Sequence, residues 1–302
     1  MKLYQEQVDA IEMWIMEYGR PLEKAKWQVM MRNAEANLVL AELLKYQNAD
    51  GGFGNGLEPD ITMPESSATA SAEALFIADE YGLLQDAPWL AQLLAYFENT
   101  ADEQRPMTWE QVPNIVETYP HAPWWQYQSA TEYRPNPGAV AAAVLIIYGN
   151  ATQQDLGLRE AERALAFLMQ AEVAFEHDLF CLQFMVEHLL AINSPMITDA
   201  VVVKLQTLIH QTTSFDSATW EGYVAKPLDF VDKPNSLWYS AVEAGVEKNF
   251  TNWIETLHPE GYWQPNFSWG EESNEAQYVT QIWRGVVSVQ RVTKFKHFGL
   301  IE

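Results

Sequence analysis

An all-α fold, a closed (α/α) toroid of about six helical hairpins forming one domain over 1–302, is what three observations in the sequence predict. Almost every stretch reads as helix, and no run of alternating strand pattern is bounded by hairpin turns. The connections alternate in length. Those at 82–86, 149–153, 193–195 and the junction near 248 are short, while 47–66, 100–136, 211–235 and 258–274 are long. In an up-and-down stack all the long loops then gather at one end. Finally, segments that follow long loops, such as 67–78 and 138–148, are small or apolar nearly all round, as buried helices are. Those that precede them have a charged side, as in 154–171 with Arg159, Glu160, Glu162 and Arg163. That gives an inner ring and an outer ring.

Taken in order, residues 5–18 place Val8, Ile11, Ile15 and Tyr18 on one face, and a long helical pattern covers 22–46. Residues 67–81 stop at Gly82, a helix C-terminal signal. Asp86 is placed to cap the next helix, with Pro88 in its first turn and Leu90, Leu93, Leu94 and Phe97 inward. Further helices are expected at 138–148, 154–171, 175–192, 196–210, 236–247, 249–257 and 275–292. Asn136 and Asn235, each after a proline, read as N-caps.

An internal repeat runs through this order. Gly51-Gly52-Phe53, Trp124-Trp125, Gly222-Tyr223 and Gly261-Tyr262-Trp263 are each followed, about ten residues on, by a short polar stop and an inner helix. The long loops that carry them are too aromatic for disorder, and loops of such length are uncommon unless functional. The mouth of the ring is where a site is expected.

The formal net charge of −23, from 41 acids and 18 bases, argues against nucleic acid and anionic membrane surfaces as partners. The single cysteine, Cys181, excludes a disulfide within the chain, which suits a reducing compartment. No apolar run is long enough for a membrane span, and the N-terminal stretch is acidic and amphipathic rather than a signal peptide. A cytoplasmic protein is expected. No phosphate-cradling glycine loop, dinucleotide fingerprint or serine elbow implies a cofactor.

The run Gln47-Asn-Ala-Asp-Gly-Gly-Phe53-Gly54, after an amphipathic helix, resembles the repeat of terpenoid cyclases and protein prenyltransferases, which are α/α toroids. The resemblance covers most of the chain as architecture but only 43–76 as motif. Gly54-Asn-Gly-Leu-Glu-Pro-Asp60 followed by Pro64-Glu-Ser-Ser67 is similar to a group of uncharacterised bacterial toroid proteins. What the resemblance implies is a hydrophobic or isoprenoid substrate in an aromatic cavity, with a carboxylic acid transferring a proton. The Asp-x-Asp-Asp run of the protonating cyclases is absent; Glu58-Pro-Asp60 and Asp229-Phe-Val-Asp232 are the nearest substitutes. Asp178 and Cys181 do not have the spacing of the prenyltransferase zinc site, and no metal is assigned.

The candidate catalytic residues are therefore Glu58, Asp60, Asp229 and Asp232. Two carboxylates held close together split their pKa values, so that one serves as acid and the other as base. Either pair can equally tie down a loop or cap a helix. Glu132, Glu271 and Glu272 lie on the same set of loops, and His121 precedes the tryptophan pair. Phe53, Trp124, Trp125, Tyr133, Tyr223, Trp263 and Trp269 lie on the long loops, and Trp238 starts an inner helix. Such rings shield a carbocation, stack on a sugar, or pin their own loops to helix ends. Three functions stay open: a cyclase- or transferase-like enzyme, a carbohydrate-active toroid (glycoside hydrolase or lyase) holding a glycan, and a toroid that binds a small molecule without catalysis.

Overall fold

Apolar periodicity broken by short polar stops partitions the chain into helices. The computed structural model describes residues 1–85, 87–270 and 273–302. Among them are eleven α-helices: α1 (Gln5–Tyr18), α2 (Pro21–Arg32), α3 (Asn37–Leu43), α4 (Ala68–Glu80), α5 (Pro88–Thr100), α6 (Gly138–Tyr148), α7 (Ala151–Gln170), α8 (Glu176–Ala191), α9 (Asp199–Thr212), α10 (Tyr239–Glu255) and α11 (Asn274–His297). Short 3₁₀ turns accompany them, and among the described residues β structure is limited to isolated bridges. The protein is all-α, and no helix among the described residues is long and apolar enough to cross a membrane.

Internal contacts group the chain into two compact units, Leu43–Leu208 and Met1–Glu42 with Ile209–Glu302. In the first, α6 is the centre. Its sequence has no polar side chain before Tyr148, so it is stable only when surrounded. Gly138 through Leu145 are buried, and α6 packs against α4, α5, α7 and α8. In the second unit α1, α2 and α11 pack on one another, while α10 packs on the short 3₁₀ turns Ser217–Thr219 and Pro227–Asp229.

Caps explain most of the ends. Gly82 adopts φ +65°, its N–H donates to Asp79 O (2.9 Å), and the Leu83 N–H donates to Ala78 O (2.7 Å), which closes α4 as expected. Ser67 and Ser273 accept from the third helical N–H of α4 and α11. The expected cap Asp86 lies outside the described residues.

The structure corrects two expected boundaries and two caps. The 22–46 pattern is not one helix: Asn33 adopts φ +53° and ends α2 without a glycine or proline. The expected break near 248 does not exist, and α10 runs straight through it. Asn249, at that position, is fully buried and its Oδ1 accepts from the Leu228 N–H (3.0 Å). A polar residue satisfied by a tertiary partner does not stop a helix. Neither asparagine caps its helix: α6 begins after Pro137 and α10 after Trp238.

The internal repeat has a structural counterpart, and each unit contains one copy. In the first, Asn48 N–H donates to Gly52 O (2.8 Å) and Gly51 N–H to Asn48 O (3.0 Å), with Gly51 at φ +91°. Phe53 N–H then donates to Ser71 Oγ of α4 (3.0 Å). In the second, His258 N–H donates to Tyr262 O (2.9 Å) and Gly261 N–H to His258 O (2.9 Å), with Gly261 at φ +90°. Trp263 N–H donates to Ser288 Oγ of α11 (3.1 Å). Phe53, Trp263, Ser71 and Ser288 are all fully buried. Removing either hydroxyl strands a buried N–H, so Ser71→Ala and Ser288→Ala are each expected to cost about 1–3 kcal/mol. Urea unfolding measures this; a loss below about 0.5 kcal/mol in both variants would show that the hydroxyls do not anchor the turns.

Candidate functional site

Two of the long loops of the unit Leu43–Leu208 are joined edge to edge. Ile61 and His121 form an antiparallel bridge. Ala122 N–H donates to Asp60 O (2.9 Å), and the Thr62 N–H and hydroxyl both donate to Pro120 O (3.3 and 2.5 Å). The junction joins the loop that carries Glu58 and Asp60 to the loop that carries His121, Trp124 and Trp125. Beneath it Ile61, Met63, Val112 and Val116 form a buried apolar cluster, with Tyr119, Trp125 and Tyr127 packed against it.

The five side chains differ in access. Asp60 is buried, and Glu58 is half-buried with its Oε1 accepting from the Asp60 N–H (3.4 Å). His121 is half-buried, and its Nδ1 lies 2.8 Å from Tyr119 O. Trp125 lies on the apolar cluster, and its indole Nε1 is buried with no hydrogen-bond partner among the described residues. Trp124 presents an exposed ring, with 48% of its surface open.

The remaining candidates sit elsewhere. Phe53 is an edge-on neighbour of Trp89 (6.2 Å) inside the first turn. Glu132 is exposed, 3.8 Å from Arg134. In the other unit Trp238, Trp263 and Trp269 are buried, whereas Tyr223 is exposed with its ring edge toward Phe267 (6.0 Å). Trp263 Nε1 donates to Trp253 O in the last turn of α10 (2.6 Å), and Trp109 Nε1 does the same to Phe97 O in the last turn of α5 (2.9 Å). Those carbonyls lack helical partners, so an indole N–H from the following loop closes each helix end. Asp229 is exposed, its Oδ2 holding the Lys226 N–H (2.7 Å); Asp232 is exposed 4.0 Å from Lys233. Glu271 and Glu272 lie outside the described residues.

Sequence reasoning did not single out the pair of carboxylates around the strap 133–138. Glu160 and Asp178 are each 2% exposed. Glu160 Oε2 accepts from the Thr108 hydroxyl (2.5 Å) and Oε1 from the Tyr133 hydroxyl (2.9 Å), with Arg163 at 3.4 Å. Asp178 pairs with Arg134, whose guanidinium lies over the Phe175 ring (4.5 Å). Cys181 Sγ donates to Asn136 Oδ1 (3.5 Å), and the Asn136–Pro137 peptide bond is cis. Burial raises both carboxyl pKa values above the ordinary range. Hydrogen bonds from Thr108 and Tyr133 oppose this at Glu160, and Arg134 opposes it at Asp178. Burial, then the charge of Glu160, raises Tyr133. These residues hold the 133–138 segment onto α7 and α8. The signal in the sequence was faint, because one acid on a charged helix face looks like any other.

Among the described residues no three His, Cys, Asp or Glu side chains converge as a metal-ligand set. A surface cavity of 540 Å³ lies in the unit of the two chain ends, lined by Tyr4, Gln5, Glu6, Gln7, Ile254 and Glu302; no candidate residue lines it. The chain matches no family model, no curated protein and no solved structure.

Proposed function

We propose that the protein is an acid–base enzyme of the (α/α) toroid type that acts on a carbohydrate-like ligand at the joined loops, with Glu58 and Asp60 transferring protons. The observation that carries this reading is an exposed Trp124 ring on the loop bonded through its backbone to the one that holds two carboxylates of unequal burial. A flat ring open to solvent suits stacking on a sugar. A buried Asp60 beside a half-buried Glu58 is the unequal environment that separates an acid from a base. His121 is placed to orient a hydroxyl, and Trp125 floors the site. The toroid arrangement is part of the proposal. It is supported by the repeated glycine turn, by the all-round apolar α6, and by the long loops. Asp229 and Asp232 belong to the other unit and are not needed for this chemistry.

The second reading, protonation of a hydrophobic or isoprenoid substrate, is favoured by the apolar cluster Ile61, Met63, Val112 and Val116 under Trp125. A screen of oligosaccharides and squalene-like hydrocarbons, read by tryptophan fluorescence and product formation, separates the two. With a glycan substrate, Asp60→Asn is expected to lower turnover about 10²–10⁴-fold with little change in binding. Trp124→Ala is expected to weaken binding about threefold to tenfold. Turnover of a glycan unchanged in Asp60→Asn rejects the catalytic assignment. Binding of no glycan, with binding of a hydrocarbon, selects the second reading.

A further inference from the structure

The last turns of α4 and α8, both in the unit Leu43–Leu208, are joined through a histidine. His188 Nε2 lies 3.1 Å from Asp79 Oδ1, and its Nδ1 lies 2.8 Å from Phe184 O, one turn back on α8. The imidazole stacks on the Phe184 ring, with 4.0 Å between centroids and 22° between planes. Phe184 in turn meets Phe76 of α4 edge-on (5.3 Å). The His188 side chain is 15% exposed and that of Asp79 43%.

The two ring nitrogens thus face a backbone carbonyl and an ionised carboxylate, which accept hydrogen bonds and do not donate them. A neutral imidazole carries one N–H, so either tautomer sets a nitrogen lone pair against one of these oxygens. Imidazolium donates to both. Three further features suit that charge. His188 lies in the last turn of α8, where the helix dipole favours a cation. Asp79 lies in the last turn of α4, where a carboxylate without a cation is unfavourable. The face of the Phe184 ring attracts positive charge.

The surrounding groups act in the same direction. Burial lowers the pKa of His188, but Asp79 and then the Phe184 carbonyl outweigh it, with Glu187 on α8 adding to them, and the net shift is upward. On α4 the neighbouring Glu80 is exposed. On α6 the Tyr148 hydroxyl donates to Leu84 O (2.9 Å), and burial and then Asp79 raise its pKa. On α7 the first charge, Asp155, is exposed, and the connection 192–198 after α8 carries no charge.

We propose that His188 is a pH-sensitive clamp between α8 and α4. Protonated, it ties the two last turns together; on losing its proton it keeps one of its two bonds, and the end of α8 detaches from α4. The folded ring holds its proton more tightly than the unfolded chain does. The contribution of the clamp to stability is therefore complete below the ordinary histidine pKa and is lost as pH rises through the folded value. The clamp lies at the opposite end of α4 from the loop that carries Glu58 and Asp60, and it does not depend on the proposed activity.

The test is a pH titration of the full chain by NMR, following the imidazole resonances and the exchange of amides 187–193 corrected for intrinsic rate. His188 is expected to be doubly protonated at the ordinary histidine pKa and to titrate above it, with exchange at 187–193 becoming severalfold faster across the same transition. Asp79→Asn is an exposed change whose amide can donate to an unprotonated Nε2 while Nδ1–H keeps Phe184 O. It is expected to lower the titration of one of the six histidines, which identifies His188, and to leave exchange at 187–193 independent of pH. No histidine titration moved by Asp79→Asn, a His188 ring that titrates at or below the ordinary value, or exchange with the same pH response in the wild type and in Asp79→Asn would each overturn the proposal.

Discussion

Gly261→Ala is expected to destabilise the protein by about 3–4 kcal/mol, far more than a methyl group added at an uncrowded turn. Two terms add. At φ +90° an alanine is strained by about 1 kcal/mol or more. Its Cβ would also lie 2.8 Å from Ile11 N and closer still to the Ala10 carbonyl, both backbone atoms of α1 that cannot rotate aside. Overpacking of this kind costs about 1–3 kcal/mol. Gly51 is the counterpart in the other unit, where a Cβ would fall 2.6 Å from the Gln92 carbonyl carbon of α5. Gly82 supplies the control: its φ is +65°, but a Cβ there meets nothing within 4 Å. Gly82→Ala should therefore cost only about 1 kcal/mol. Urea midpoints of the three variants decide the matter. Equal losses at Gly82 and Gly261 would show that backbone strain alone, and not the close approach to a helix, selects glycine at the repeated turn.

Removing Arg134 should be nearly as damaging, and the damage should depend on pH. Asp178 is almost fully buried, and Arg134 is its cation. Arg134→Ala strands the carboxylate and removes the stack on Phe175, which together are expected to cost about 3 kcal/mol at pH 8. The pKa of Asp178 is already raised in the folded state by burial, so the folded protein holds its proton more tightly than the unfolded chain. A group of that kind favours folding below the ordinary carboxylate pKa, and its contribution is lost as pH rises through the folded value. Without Arg134 the folded value moves higher still. The penalty should therefore be small near pH 4 and grow toward pH 8, and Arg134→Ala combined with Asp178→Asn should recover part of it. A penalty independent of pH would mean that Arg134 acts through packing alone.

What the sequence could and could not convey follows from the range of each interaction. Helices were legible because they are set by local periodicity: α4, α6 and α8 lie close to where their apolar patterns place them, and Gly82 ends α4 as its lack of a side chain allows. Two boundaries failed for opposite reasons. Asn33 supplied a left-handed stop without the usual glycine, whereas the expected break near 248 is spanned by a helix in which Asn249 finds its partner at Leu228, 21 residues away. Loop length placed Glu58 and Asp60 at one mouth with His121, the tryptophan pair, Asp229 and Asp232, and among these the backbone bridge between Ile61 and His121 joins the first two loops. The roles of single tryptophans were not legible. Trp263 and Trp124 carry the same side chain on similar loops, yet one closes a helix end in the interior and the other lies open. Glu160 and Asp178 were hidden because their partners, Thr108, Tyr133 and Arg134, lie 27–52 residues away in the chain.

The order of the two units along the chain bears on how the protein is made. Leu43–Leu208 is continuous, whereas the other unit needs both Met1–Glu42 and Ile209–Glu302. On the ribosome the inner segment is complete and free to fold while α11, which α1 and α2 pack against, has yet to be synthesised. Until then α1, with its inward residues Val8, Ile11, Trp14 and Ile15, has α2 to pack on but lacks α11. Helix α1 is thus separated from its α11 partner by the synthesis of the whole Leu43–Leu208 unit and depends on protection from premature association in that interval.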